Sequence, residues 1–306
     1  MKPFALAALV ICLNADMVHA EERPPLPARV KEFIGKYKTP NAIEARFKEW
    51  TAAEPQNPDP YILAANAYLS AAEAIVINTD TKRDGFKITD PKTGKQVGTM
   101  GSVSNPQLQM KGEALLAQAA AKFPERLDIH VGRMDICQRA DDIQALETAA
   151  TEMISAVGKQ NGKLAWIDGA PIEAPLEKKV TDEIQPRIQW LFDKEKPEAD
   201  AAAQSIATAA LKLYPKNVKL LNVAAVCHAY KKEWKEAREI FIRAAEVDPD
   251  DLLVLMNIAL SSAKLGDTAD AKSRFEAIIK KAPDSQQAKR AKAELEKLKK
   301  DGAKNP

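Results

Sequence analysis

Few residues in this chain have the chemistry for catalysis or metal binding. The chain holds three histidines and three cysteines. His130 and Cys137 fall in one helical pattern, and Cys227 adjoins His228 in another. These spacings match no closed zinc pattern, and adjacent Cys227 and His228 point to different faces of a helix. Thr93-Gly94-Lys95 invites a phosphate-loop reading. That loop needs a glycine where Thr89 stands and a Ser or Thr where Gln96 stands. No G-x-S-x-G elbow and no H-E-x-x-H pair occurs. Asp141–Asp142 and the group Asp248, Asp250 and Asp251 sit where helices start, so capping accounts for them. They lack the residue order of a calcium loop. Nothing here implies a metal or a cofactor. The residues left as candidates for a small-ligand or catalytic site are Trp166, Asp168 and His130.

Composition narrows the classes further. Of 306 residues, 45% are hydrophobic, 29% charged and only 6% aromatic. Those are the proportions of a soluble folded chain, and the abundance of alanine favours helix. Forty-five basic residues against 43 acidic ones leave a net charge of +2, so charge alone argues for neither nucleic acid nor an anionic membrane.

The first twenty residues have the order of an export signal: Lys2, an apolar run over Phe4–Leu13, and a small residue at Ala20. The run is too short to span a bilayer. Cleavage after Ala20 is expected, giving a periplasmic or extracellular chain. Acylation at Cys12 is the competing reading, but Ile11 is not the small residue that lipoprotein signals carry before that cysteine. Cys137 and Cys227 would remain in the mature chain, and both are expected to be buried thiols.

The elements that position everything else follow from a period. Pro215, Pro249 and Pro283 recur every 34 residues, each followed by a capping residue: Asn217, Asp251 and Ser285. In the same register Ala203, Ala237 and Ala271 align, as do Ala207, Phe241 and Phe275, and Ala210, Ala244 and Ile278. Leu221 matches Leu255, and Ala225 matches Ala259. Proline stops one helix and the polar residue caps the next. Small residues let two antiparallel helices approach, and the aliphatic or phenylalanine fills the space between pairs. Gly266 serves the tight turn inside a pair.

This pattern resembles the tetratricopeptide repeat family, in repeat length, small positions, aromatic and terminal proline. Leu221 and Leu255 stand where the family often has tryptophan. The resemblance covers 184–300 and, more loosely, 41–158. It implies an all-α, right-handed solenoid of about five helix pairs with a polar capping helix at Asp284–Lys300. The expected organisation is a signal peptide at 1–20, an N-terminal helical segment at 21–58, and weaker repeats at 59–158. Repeats and capping helix follow at 176–300, then a tail at 301–306. Two insertions interrupt the period, at 78–106 and 159–175. "FKIT" and "KQVGTM" around "DPKTG" read as a β-hairpin, and "LAWI" and "APIE" around Asp168–Gly169 as a second.

In that family the first helix of each pair lines a concave groove. The resemblance therefore implies a peptide-binding face from Lys219, Asn222, Val226 and Tyr230 in one repeat. Leu253, Met256, Asn257, Leu260 and Lys264 belong to it in the next. Lys219, Asn222 and Asn257 are loosely similar to a family clamp for a terminal carboxylate, but the full set of basic and amide residues is not present. The expected role is a non-enzymatic scaffold for a protein or peptide partner. Two alternatives stand beside it: a ligand-binding protein or enzyme with a site built by the insertions, and a self-associating structural component of the envelope.

Overall fold

The computed structural model describes residues 25–79, 86–160, 163–172 and 175–302. The expected signal peptide with its cleavage site, parts of both insertions and the end of the tail lie outside them. The chain forms two compact units, one up to Glu173 and one from Ala174.

The first unit holds α1 (Leu26–Lys36), α2 (Pro40–Ala53), α3 (Asp59–Ala72), α4 (Pro106–Lys122), α5 (Leu127–Arg139) and α6 (Ile143–Lys159). Local chemistry sets their starts. Thr39, Asn105 and Asp142 cap α2, α4 and α6 through backbone amides, and proline opens α2 and α4. Consecutive helices from α3 to α6 pack on one another, with α1 and α2 against α3. A Cβ on Gly112 of α4 would stand 3.0 Å from the Ala65 carbonyl of α3, so glycine permits that close approach. Tyr61, Leu63, Tyr68, Leu116 and Ile129 belong to the core so formed. Arg133 is buried at the centre of α5 and donates to Glu113 of α4 at 2.9 Å and Glu152 of α6 at 2.5 Å.

Between α3 and α4 the chain forms β1 (Glu73–Asn78), β2 (Phe86–Thr89) and β3 (Gln96–Ser104), antiparallel in the order β1-β3-β2. The β2–β3 hairpin is the one expected. Its turn closes through the Asp90 carboxylate, which accepts from the Lys92 and Thr93 amides at 2.8 Å each. β1 was not expected. α3 ends at Ala72, and the β-branched run that follows pairs with β3 instead of extending it. The second insertion is a tight turn at Ile167–Gly169 closed by one Ala165–Pro171 bridge. Among the described residues no longer ladder forms, and Ala165 instead bonds backward, donating to Glu125 at 2.8 Å and accepting from Leu127 at 3.0 Å.

The second unit holds α7 (Leu176–Phe192), α8 (Pro197–Leu213), α9 (Val218–Tyr230), α10 (Trp234–Val247), α11 (Leu252–Lys264), α12 (Thr268–Lys281) and α13 (Gln286–Gly302). Each packs on the next. The expected caps are in place: Asn217 accepts from Leu220 N at 3.0 Å, Asp251 from Leu253 N at 2.8 Å, and Ser285 from Ala288 N at 3.0 Å. Ala237, Phe241 and Ala244 pack with Leu221 and Ile258. One period later Ala271, Phe275 and Ile278 pack with Ala259 and Ala291. With α3/α4 and α5/α6, the helices make five antiparallel pairs among the described residues. The turns inside four of them each hold a residue at positive φ: Asp141 (58°), Glu195 (51°), Lys232 (63°) and Gly266 (80°).

Candidate functional site

The first helices of the pairs in the second unit, α7, α9 and α11, carry the candidate face. The caps join them. Asn217 accepts from its own helix and also donates to Glu177 Oε1 at 2.7 Å and Thr181 Oγ1 at 3.2 Å on α7. A shallow cleft of about 320 Å³ opens there, lined by Glu177, Lys178, Thr181, Asp182, Asn217 and Lys219 among others. Lys219 is exposed and lies 3.9 Å from Asp182, which Lys178 contacts at 2.5 Å. The hydrogen bond from Lys178 holds the Asp182 carboxyl below the usual carboxylate range.

Further along, Asn257 Nδ2 donates to Asn222 Oδ1 at 2.8 Å, bridging α9 and α11. Val226 and Leu260 are half-buried beside the two cores. Tyr230 ends α9 and is 53% exposed, yet one side of its ring lies on Phe192 at the end of α7. Leu253 is exposed, and the Lys264 ammonium sits 5.9 Å from the centre of the Trp234 ring. Leu253, Asn257, Leu260 and Lys264 follow the four-three-four spacing of a single helix face.

Met256 does not belong to this face. It is fully buried and packs with Phe275, Ile278 and Ala291. One residue is about 100° of helix, enough to turn Met256 from the groove into the α11–α12–α13 core. Phe192 was missed by the sequence reading because it lies outside the 34-residue register. α8 has 17 residues against 14 in α10, and the turn before it is one residue longer, so Phe192 lies 38 residues before Tyr230 and the residue 34 before it is Lys196. The signal available was positional: Phe192 and Tyr230 each end the first helix of a pair.

Asp168, Trp166 and His130 take separate roles in the described residues. Asp168 receives Arg29 of α1 at 2.5 Å, and Arg29 also contacts Asp59 at the start of α3 at 3.0 Å. The turn is thus fastened to the first unit by an ion pair, and Ile167 packs on its core. Trp166 donates its backbone amide to Ala170 O at 2.6 Å, shaping the same turn. His130 is buried within α5, and neither ring nitrogen makes a hydrogen bond of normal geometry. Burial, then the Arg133 charge, lowers its basicity. Burial also pushes the Cys137 and Cys227 thiols up to about 12, so neither supplies a thiolate at neutral pH. His228 contacts Glu233 Oε2 at 2.7 Å. Among the described residues, no group of three or more His, Cys, Asp or Glu is placed to hold a metal ion. No described helix is long and apolar enough to cross a membrane.

Residues 231–295 match the tetratricopeptide repeat family model. No curated protein matches the chain. Among solved structures, YrrB, described as a TPR protein with an unusual peptide-binding site, is 14% identical with a TM-score of 0.40, covering 81% of this chain and 97% of its own. MamA from Desulfovibrio magneticus RS-1 is 9% identical with a TM-score of 0.37, covering 58% and 88%. The TPR2AB domain of yeast Sti1, solved in complex with pHSP90, is 14% identical with a TM-score of 0.33, covering 89% and 95%. Likenesses this distant carry no residue role across. With the 34-residue period, the capped antiparallel helix pairs and the matched segment together, the chain is one that carries tetratricopeptide repeats.

Proposed function

We propose that the chain is a non-enzymatic scaffold whose α9–α11 face holds an extended or helical segment of a protein partner with some acidic character. The observation that carries this is the exposed face itself. An exposed tyrosine on an aromatic base, a cross-helix amide pair and Lys219 and Lys264 at its ends stand on one rigid surface. Aromatic anchors on rigid supports concentrate binding energy. The wider reading includes export, supported by the order of residues 1–20.

Selecting peptides from a random library on the full chain tests the binding face. Titration calorimetry then compares the selected peptides with the parent, Tyr230→Ala and Lys219→Glu. Acid-bearing peptides that lose at least tenfold in affinity on both variants support the proposal. Peptides that bind the variants as they bind the parent would refute it. Export is tested by the mass of the secreted chain: Glu21 at the N-terminus is expected, and an acylated Cys12 would overturn it.

A further inference from the structure

The sheet of the first unit carries an apolar row that no other described part of the chain covers. Phe86 and Ile77 each pair with Met100 across β3, and directly opposed residues of antiparallel strands share a face. Phe86 and Ile77 are 70% exposed and Met100 is 37% exposed. Ten large hydrophobic residues are exposed among the described residues, and these three share one face of this small sheet, whereas Val97 and Val103 stand at alternating positions of β3. Single exposed hydrophobics are ordinary, but a contiguous group marks an interaction surface.

The neighbouring turn is cationic. Lys92 and Lys95 are exposed and form no ion pair among the described residues. Asp90 is the one acid between Phe86 and Gln96, and the Thr93 and Lys92 amides hold its carboxyl below the usual range. Glu73, at the far end of β1, accepts from the Ser104 hydroxyl at 3.0 Å.

We propose that this face rests on an anionic lipid bilayer surface. Strand spacing and rise give the sheet a face of about 300 Å², well below the roughly 800 Å² per partner of a stable protein pair. A bilayer sets no such threshold. A few apolar side chains at headgroup depth act together with each lysine near anionic lipid. Deeper insertion is excluded because open strand edges do not enter hydrocarbon, so the β1 and β2 edges stay hydrated. The chain's net charge of +2 supplies no long-range pull, which makes the contact local and sensitive to salt. This surface is separate from the α9–α11 face, and its failure would leave that reading untouched.

The test is flotation of the full chain with phosphatidylcholine vesicles, with and without phosphatidylserine. The parent is expected to float with the anionic vesicles and to be released by salt. The paired change Phe86→Ser with Ile77→Ser is expected to abolish flotation. Lys92→Gln and Lys95→Gln are each expected to weaken partitioning about five-fold. Circular dichroism checks that the variants stay folded, and the lysine variants, in an exposed turn, keep the test decisive if the apolar pair does not. Absence of flotation with anionic vesicles, or equal flotation of parent and variants, would overturn the proposal. So would a Phe86-dependent dimer in sedimentation, which would give the row to a second copy.

Discussion

Tyr230 lies flat on Phe192, with ring centroids 4.7 Å apart and planes 2° from parallel. The contact joins the ends of α9 and α7 while leaving the outer side of Tyr230 open to solvent. An aromatic pair of this kind contributes about 1 kcal/mol beyond the area it buries. Tyr230→Ala is therefore expected to lower stability by at least that amount, whereas Tyr230→Phe preserves it. Urea denaturation of the three proteins checks this. An unshifted midpoint for Tyr230→Ala would show that the stack is not held in solution.

The Asn222–Asn257 bond makes a separate claim about the same face. Both residues are half-buried, so the bond has a net effect of about 1 kcal/mol. A double-mutant cycle with Asn222→Ala and Asn257→Ala is expected to give a coupling of at least about 0.5 kcal/mol. Strict additivity would mean that the two side chains act independently.

Ala237 is fully buried in the α9–α10–α11 core, where the side chains of Phe241 and Leu221 pack. Ala237→Leu adds volume where none is available, at a cost of about 1–3 kcal/mol. Ala271→Leu, one period later, is expected to behave alike. The denaturation midpoint reads both.

Lys232 and Gly266 occupy equivalent turns, at φ 63° and 80°. A side chain in the left-handed region costs about 1 kcal/mol that glycine avoids. Lys232→Gly is thus expected to stabilise the second unit by about 1 kcal/mol, and Gly266→Lys to destabilise it by a similar amount. Opposite shifts in thermal midpoint are the readout, and shifts of one sign would contradict the turn geometry.

His130 predicts acid sensitivity in the first unit. Burial first, then the Arg133 charge, lowers its pKa below the ordinary 6.5, with the Pro124 carbonyl and the Glu152 and Asp128 charges opposing. Above about pH 6.5 the ring is neutral in both folded and unfolded chains, and its contribution to stability is complete. As pH falls below that value the unfolded chain takes the proton first, so this stability is lost down to the folded pKa. The gap in urea midpoint between the parent and His130→Leu is expected to shift in favour of the variant below about pH 6.5. A gap independent of pH would show that the ring titrates normally.

What the sequence determined by itself was everything that depends on near neighbours. The caps at Asn217, Asp251 and Ser285, the prolines that stop each helix, and the Ala237–Phe241 and Ala271–Phe275 seams are written in a 34-residue period. A helix pair contacts chiefly the pairs beside it, so a local pattern suffices to specify it. The β2–β3 hairpin was legible for the same reason, since its turn chemistry lies between its strands. The tertiary structure decided what depends on partners far along the chain. β1 is a strand because β3, the second strand of the hairpin, offers it an edge, and that pairing takes the run after Ala72 out of helix. Met256 is core because α12 and α13 close over it, while its neighbour Asn257 reaches Asn222. Asp168 is an ion-pair partner because folding brings it to Arg29 of α1. Tyr230 gains Phe192 although a longer α8 and its preceding turn set the two 38 residues apart, outside the period. A period encodes spacing along the chain, whereas these contacts are set by which surfaces meet once the helices have packed.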